Sequence, residues 1–399
     1  MLRALYQSPA LRAAVAFGLA GAAFTLGNLI LARVLSAQQF ALISLVIGVL
    51  SVAGPSAPLG LDLVIARRGL SFTSRLRRAV LATSVLAAVA TVCIAAALYD
   101  LSFSLLCAIF LATASVGVSQ ATAAHFQGRG QFSVAVPYLQ MSNWALVPVA
   151  IISAAGSFKT ALIPCALIAL AALITAAVGW LRVARLTEGE QSDIAGAVMW
   201  REAIPLMTIS TASGMFLQLE RLVIPMTVGI EQLALFGVAA SLVGSPFRMI
   251  QGAISFTIIP RLREAQSVEE RRHLLAHEFL LIGTVLGPAC IVIWIVAPPV
   301  AHWFLGGRYD LTAALVVAML VSGILKVLSS FATSVVNALA SGAGLRLLSA
   351  ASWVCIALGA LLAYAGRSWG LCGVIYGISL AWLARCVVAA WISAPHLRH

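Results

Sequence analysis

Six ionisable side chains stand inside long apolar runs of this 399-residue chain: Arg221, Arg248, Lys326 and Arg385, with Asp62 and Glu220 as the acids. Glu220 and Arg221 are neighbours in "FLQLERLVIPM", residues 216–226. A charge facing hydrocarbon costs about 2.5–3.5 kcal/mol even on the lenient scale, so such residues turn inward and mark paths for ions or polar substrates. Helical spacing groups them with small and polar neighbours. Thr211, Gly214, Gln218, Arg221 and Pro225 share one face; Ser241, Ser245, Arg248, Gly252 and Ser255 share another; Ser322, Lys326, Ser329, Thr333 and Asn337 share a third. Ser44, Gly48, Ser51, Pro55 and Asp62 form a fourth stripe. Three cations on three polar faces predict a hydrated, positively charged lining that suits an anion. Arg221, Arg248, Lys326 and Gln218 are therefore candidate substrate contacts. Asp62 and Glu220 are candidates for ion coupling or charge balance, Asp62 lying near enough to Arg67 or Arg68 to pair with one of them. Arg385 is read as snorkelling to the cytoplasmic surface. The alternative is purely structural: Glu220 neutralises Arg221 or Arg248, and small residues such as Gly283/Gly287 and Gly373/Gly377 let helices pack closely.

The elements that position these residues follow from composition. The chain is 62% hydrophobic and 10% charged, against roughly a quarter charged in soluble domains. Lipid must be its solvent. Runs long enough to span a bilayer, about 20 residues each, cover 13–31, 40–65, 79–98, 101–123, 133–153, 159–181, 204–228, 233–256, 279–297, 311–336, 347–364 and 370–391. Lipid offers the backbone no hydrogen-bond partner, so these spans are helices. The first follows Arg3 and Arg12 and resembles a signal peptide, but eleven further spans make a retained span the expectation.

The net charge of +12 is topology rather than a nucleic-acid footprint. "RRGLSFTSRLRR", residues 67–78, and "PRLREAQSVEERR", residues 260–272, fall on the side of the N-terminus; Arg33, Lys159, Arg308 and Arg367 fall on the other. By the positive-inside rule the first side is cytoplasmic, as are both termini. The basic loops there meet anionic membrane lipids. Seven cysteines lie in the spans without a paired motif, and His273 and His277 are read as a solvated helix face. No metal, cofactor or catalytic constellation is visible, so no enzyme is expected.

The chain also echoes itself. "QFALISLV" from Gln39 realigns with "QLALFGVA" from Gln232, and "DLVIARR" from Asp62 with "SFTIIPR" from Ser255 at the same offset. That offset sets Asn28 against Arg221, which adds Asn28 to the substrate contacts. At a larger offset "QGRGQF" from Gln127 resembles "SGAGLR" from Ser341. The expected architecture is an all-α polytopic membrane protein of about 12 helices. Its two six-helix lobes, residues 1–190 and 191–399, would be related by a pseudo-two-fold axis around a central cavity.

These stretches, in this order, resemble Wzx-type polysaccharide flippases of the multidrug/oligosaccharidyl-lipid/polysaccharide exporter (MOP) superfamily. "ERLVIPMTVGIEQLALFGVA", residues 220–239, resembles the start of the second lobe, with Glu220 where aspartate is more usual. "LARVLSAQQFALISLV", residues 31–46, resembles the N-terminal signature, with Ala41 where glycine is usual. "PLGLDLVIARR" (58–68) and "FQGRGQF" (126–132) resemble the ends of the second and fourth spans. The resemblance implies a bacterial inner-membrane flippase for a polyprenyl-diphosphate-linked oligosaccharide, working by alternating access. It also implies a polymerase and glycosyltransferases of the same pathway as possible partners. The other readings are a multidrug-type antiporter of the same superfamily and a membrane-embedded glycan polymerase or ligase. An antiporter for cationic drugs wants acidic residues where cations prevail here. A polymerase or ligase wants a large outer loop, and the longest here surrounds His302 and Arg308.

Overall fold

A computed structural model describes residues 9–186 and 196–397. The expected lobe boundary at 190/191 lies outside the described residues, as do the side chains of Arg3, Arg12, Gly252 and Ser255. Every apolar run is helical, and no strand occurs among the described residues. Nine spans are single helices: α1 Pro9–Val34, α4 Ser74–Leu98, α5 Phe103–Gly128, α6 Phe132–Ala155, α7 Leu162–Leu186, α12 Val268–Leu305, α13 Ala313–Leu339, α14 Gly342–Gly366 and α15 Gly370–Ser393. Three spans are broken. The second is α2 Ala37–Ser56 followed by α3 Leu61–Arg68; the seventh is α8 Gly196–Leu217 and α9 Leu219–Thr227; the eighth is α10 Ile230–Leu242 and α11 Gly244–Glu264. The protein is a multi-pass membrane protein: eight helical segments are long and apolar enough to cross a bilayer on those criteria alone.

The helices start where a hydroxyl can accept an unpaired N–H of the first turn. Thr73 accepts from Leu76 N at 3.4 Å, Thr312 from Leu315 N at 3.3 Å and Ser267 from Glu270 N at 3.1 Å. The longest helix, α12, has 38 residues and runs about 57 Å at 1.5 Å per residue. That exceeds the bilayer core of about 30 Å, so its charged start, "VEERRHLLAHE", projects beyond the predicted span 279–297. Its apolar residues Leu280, Ile291, Val292 and Ile295 are exposed, as lipid contact requires.

Two compact units result, residues 1–218 and 219–399. In the first, α5 is central and packs on α2, α3, α4, α6 and α7, while α1 packs on α6. The first half of the seventh span, α8, belongs to this unit through α2 and α3. Thr211 Oγ1 donates to Ser56 Oγ at 2.9 Å, and Arg68 Nε donates to Glu202 Oε2 at 2.9 Å. The expected pairing of Asp62 with Arg67 or Arg68 is thus not the one Arg68 makes; its guanidinium forks onto Glu202 and holds that carboxyl below its ordinary range. Gly60 allows the close approach of α8: its φ is 81°, and a Cβ there would run into the Ala203 carbonyl.

In the second unit α13 and α15 are central. α15 packs on α13 and α14, α11 on α13, and the short α9 on α10, α14 and α15. Gly373 and Gly377 do serve close packing: a Cβ on Gly377 would lie 2.6 Å from the Leu362 backbone. Gly283 and Gly287 do not, because nothing lies within 4 Å of either added Cβ. They sit on the sparsely covered α12, so small residues there have no neighbouring helix to admit.

Candidate functional site

The break after Leu217 starts α9 afresh at Leu219, which sets Glu220 in the first turn, where a negative charge meets the positive end of the helix dipole. Glu220 is 1% exposed and Arg221 3%. An acid buried this deeply needs a partner. It is supplied by α13, whose Ser322 and Lys326, one turn apart, both face it. Lys326 Nζ forms an ion pair with Glu220 Oε1, and Ser322 Oγ donates to the same oxygen at 3.3 Å.

Two further helices extend the cluster. From α15, the buried Trp382 lies beneath Lys326 Nζ, 5.9 Å from the ring centroid, and beneath Arg385 Cζ at 5.7 Å. The ring face attracts both cations. Arg385 Nε also donates to Ser352 Oγ of α14 at 3.0 Å. Arg385 therefore does not snorkel to the surface; at 5% exposure it lies inside the unit, because a ring and a hydroxyl receive it there. From α11, Arg248 reaches back across the break at Val243. Its Nη2 donates to Ala240 O at 3.0 Å, in the last turn of α10, and to Ser245 Oγ at 3.3 Å. A cation at a helix C-terminus is favourable, so Arg248 also steadies the break. Arg221, Arg248 and Glu220 are close enough to interact electrostatically.

The second unit thus gathers Arg221, Arg248 and Lys326 around one acid, Glu220, with Arg385 joined to Lys326 through the Trp382 ring they share. Sequence reasoning paired Glu220 with Arg221 or Arg248; it interacts electrostatically with both, and it also forms an ion pair with Lys326. The other candidates lie in the first unit. Gln218 is its last residue. Asn28, 1% exposed in α1, donates its Nδ2 to Phe24 O at 2.8 Å. Asp62 sits in the first turn of α3, where a carboxylate meets the positive end of the helix, and its Oδ1 is buried with no hydrogen-bond partner among the described residues. The stripes of hydroxyls are more enclosed than a water-facing lining: Ser241, Ser322 and Ser329 are buried, and Ser241 Oγ donates to Gly237 O at 2.9 Å. Serine in an apolar helix commonly bonds back to its own preceding turn. Sequence reasoning missed Trp382 and Ser352. The signal for Trp382 was present, since it stands three residues before Arg385 and so on the same helix face.

Compared by sequence, the chain matches no family model and no curated protein. Compared by structure, it carries the fold of MOP-superfamily transporters. It is similar to an inward-facing multidrug-resistance MATE family transporter of that superfamily, with TM-score 0.67 and 14% identity over 94% of each chain. It is similar to the lipid II flippase MurJ in an inward closed conformation, with TM-score 0.71 and 11% identity over 95% of this chain and 86% of that one. A third similar structure is a MOP superfamily transporter from Pyrococcus furiosus, described by a reverse polarity of its binding pocket that suggests a different function. There the TM-score is 0.62, with 14% identity over 98% of this chain and 95% of that one. At such identities the fold is what is shared.

Proposed function

We propose that the chain is a flippase that carries a polyprenyl-diphosphate-linked oligosaccharide across a bacterial inner membrane by alternating access, its termini on the cytoplasmic side. The observation that carries the reading is the charge of the second unit's cluster, four bases to one acid. A diphosphate diester brings about two negative charges and several acceptor oxygens, and arginine forks match phosphate geometry. The same balance argues against a multidrug-type antiporter for cations, which the cluster would repel. Glycosyltransferases and a polymerase of the same glycan pathway would then work beside it. The fold similarity to both a lipid II flippase and multidrug transporters supports a transporter and leaves the substrate to the site's chemistry.

The test is flipping of a fluorescent polyprenyl-diphosphate oligosaccharide in proteoliposomes, read by quenching from one side, beside uptake of a cationic dye. Wild type should flip the lipid and ignore the dye. Arg221→Ala and Arg248→Ala should each slow flipping by roughly 10–100-fold, the equivalent of about 1.5–3 kcal/mol for a hydrogen bond to a charged group. Arg221→Lys should retain part of the activity. Dye uptake abolished by Glu220→Gln, with no flipping of the lipid, would replace this reading with the antiporter.

A further inference from the structure

We infer that the first unit holds a second binding site, for an uncharged hydrogen-bonding group the size of one sugar ring. A cavity of about 290 Å³ lies wholly within that unit, walled by α1, α2, α5, α6 and α7. This is the small end of the range of roughly 300–1,000 Å³ for ligand pockets. Its polar lining is Ser51, Gln120, Gln140, Ser142 and Asn143, and no residue of its wall is ionisable. A metal ion, a cationic drug or a phosphate would find no counter-charge there.

Hydroxyl groups each donate and accept, and carboxamides do both within one planar group. Asn143 Nδ2 donates to Gln140 Oε1 at 2.7 Å. That bond fixes both amides and leaves a donor on Gln140 and an acceptor on Asn143 for a third party. Phe24 and Leu146 add apolar wall, which suits the C–H face of a sugar ring. The surrounding shell is polar as well. Asn28 Oδ1, Ser44 Oγ, Thr113 Oγ1 and Ser119 Oγ are buried without a protein partner, and each lies within one helical turn of a wall residue on its own helix. Thr83, Thr122 and Ser153 of this unit bond back to their own helix, whereas these four oxygens do not, and they mark a locally polar region.

The inference rests on the flippase reading only for the reason a sugar would be presented here. Its test is separate from transport. Purified full-length protein in nanodiscs would be probed by saturation-transfer NMR with N-acetylglucosamine or glucose, and in a parallel sample with pyrophosphate. Wild type should transfer saturation to the sugars. The double variant Gln140→Leu/Asn143→Leu should lose roughly tenfold in sugar affinity, as expected where a site built for hydrogen bonds loses them. Ser142→Trp, which fills the cavity while keeping both amides, should lose it too, with an unchanged thermal midpoint. Arg221→Ala should leave sugar binding intact and weaken pyrophosphate alone. No saturation transfer in wild type, sugar binding unchanged in both cavity variants, or displacement of the sugar by tetraphenylphosphonium would each overturn the inference. A protein that binds sugars here yet flips no lipid would sink the flippase reading and leave this site standing.

Discussion

Glu220 is the acid that Arg221, Arg248 and Lys326 share, and this makes its loss unlike the loss of any base. Removing Lys326 leaves Glu220 buried but still within the field of Arg221 and Arg248. Removing the carboxylate leaves the bases facing one another. Breaking a buried pair costs about 3–5 kcal/mol when the surviving charge is uncompensated. Glu220→Gln should therefore destabilise by about that amount and Lys326→Met by clearly less, measured as unfolding midpoints in detergent. Added pyrophosphate should restore more stability to Glu220→Gln than to wild type, since an anion would replace the missing acid. Equal losses in the two variants would refute the shared-acid account. At this scale the sequence told which residues are out of place in lipid, because Arg, Lys and Glu are conspicuous among leucines. It did not tell who pairs with whom. Glu220 is next to Arg221 in sequence, yet Lys326 arrives from a helix about a hundred residues away, and only packing decides that. Arg385 shows the same limit: its aromatic partner was visible three residues away, but burial of that face was not.

At the scale of elements, periods and punctuation were legible, and interruptions were less so. Twenty-residue apolar runs must be helices in lipid, and each is helical, three of them with a break. The break in the second span at Ala57–Gly60 follows Pro55; "PLGLDLV" shows a glycine there but not its left-handed backbone. The break in the seventh span at Gln218 falls between apolar residues of ordinary helix propensity, so tertiary packing sets it. The second and eighth spans, counterparts in a six-plus-six repeat, are both interrupted, and discontinuous helices in matching positions are where transporters build binding sites. Glycines give this scale its prediction. Gly60→Ala forces a side chain into left-handed backbone and against the Ala203 carbonyl, with an expected loss of about 1–3 kcal/mol from the strained backbone. Gly283→Ala meets nothing within 4 Å and should stabilise α12 by up to about 1 kcal/mol, the helix-propensity difference. A pair of thermal melts compares them, and a neutral Gly60→Ala would show that the α3–α8 contact is dispensable.

At the scale of the whole molecule the charge pattern makes two linked predictions, one of orientation and one of energy. If residues 67–78 and 260–272 are cytoplasmic and 298–310 external, cysteines placed in the first two loops should resist an impermeant thiol reagent added to spheroplasts, while one at the third should react. The exposed Phe103, Trp303 and Trp369 all lie on the expected outer side, where aromatic residues anchor a membrane interface. Given that orientation, an inside-negative potential favours outward movement of an anion by about 2.3 kcal/mol per charge per 100 mV. The loaded cluster, roughly neutralised by a diphosphate, would turn outward and discharge. The empty cluster, cationic again, would be drawn back by the same potential, with no ion coupled. The rival cycle has a proton or sodium ion bind Glu220 or Asp62 to reset the carrier. Glu220 is already committed to Lys326 and Ser322, so a coupling ion would have to displace a partner there, and Asp62, whose Oδ1 is buried without a hydrogen-bond partner among the described residues, belongs to the first unit rather than to the cation cluster. We therefore expect flipping in proteoliposomes to respond to the potential alone, with pH and sodium gradients set to zero, and to persist in Asp62→Asn. Glu220→Gln should still follow the potential, at a lower rate set by its damaged cluster. Turnover that follows a pH or sodium gradient in wild type and loses that dependence in Glu220→Gln would exclude the electrophoretic cycle and assign the carboxylate the coupling role.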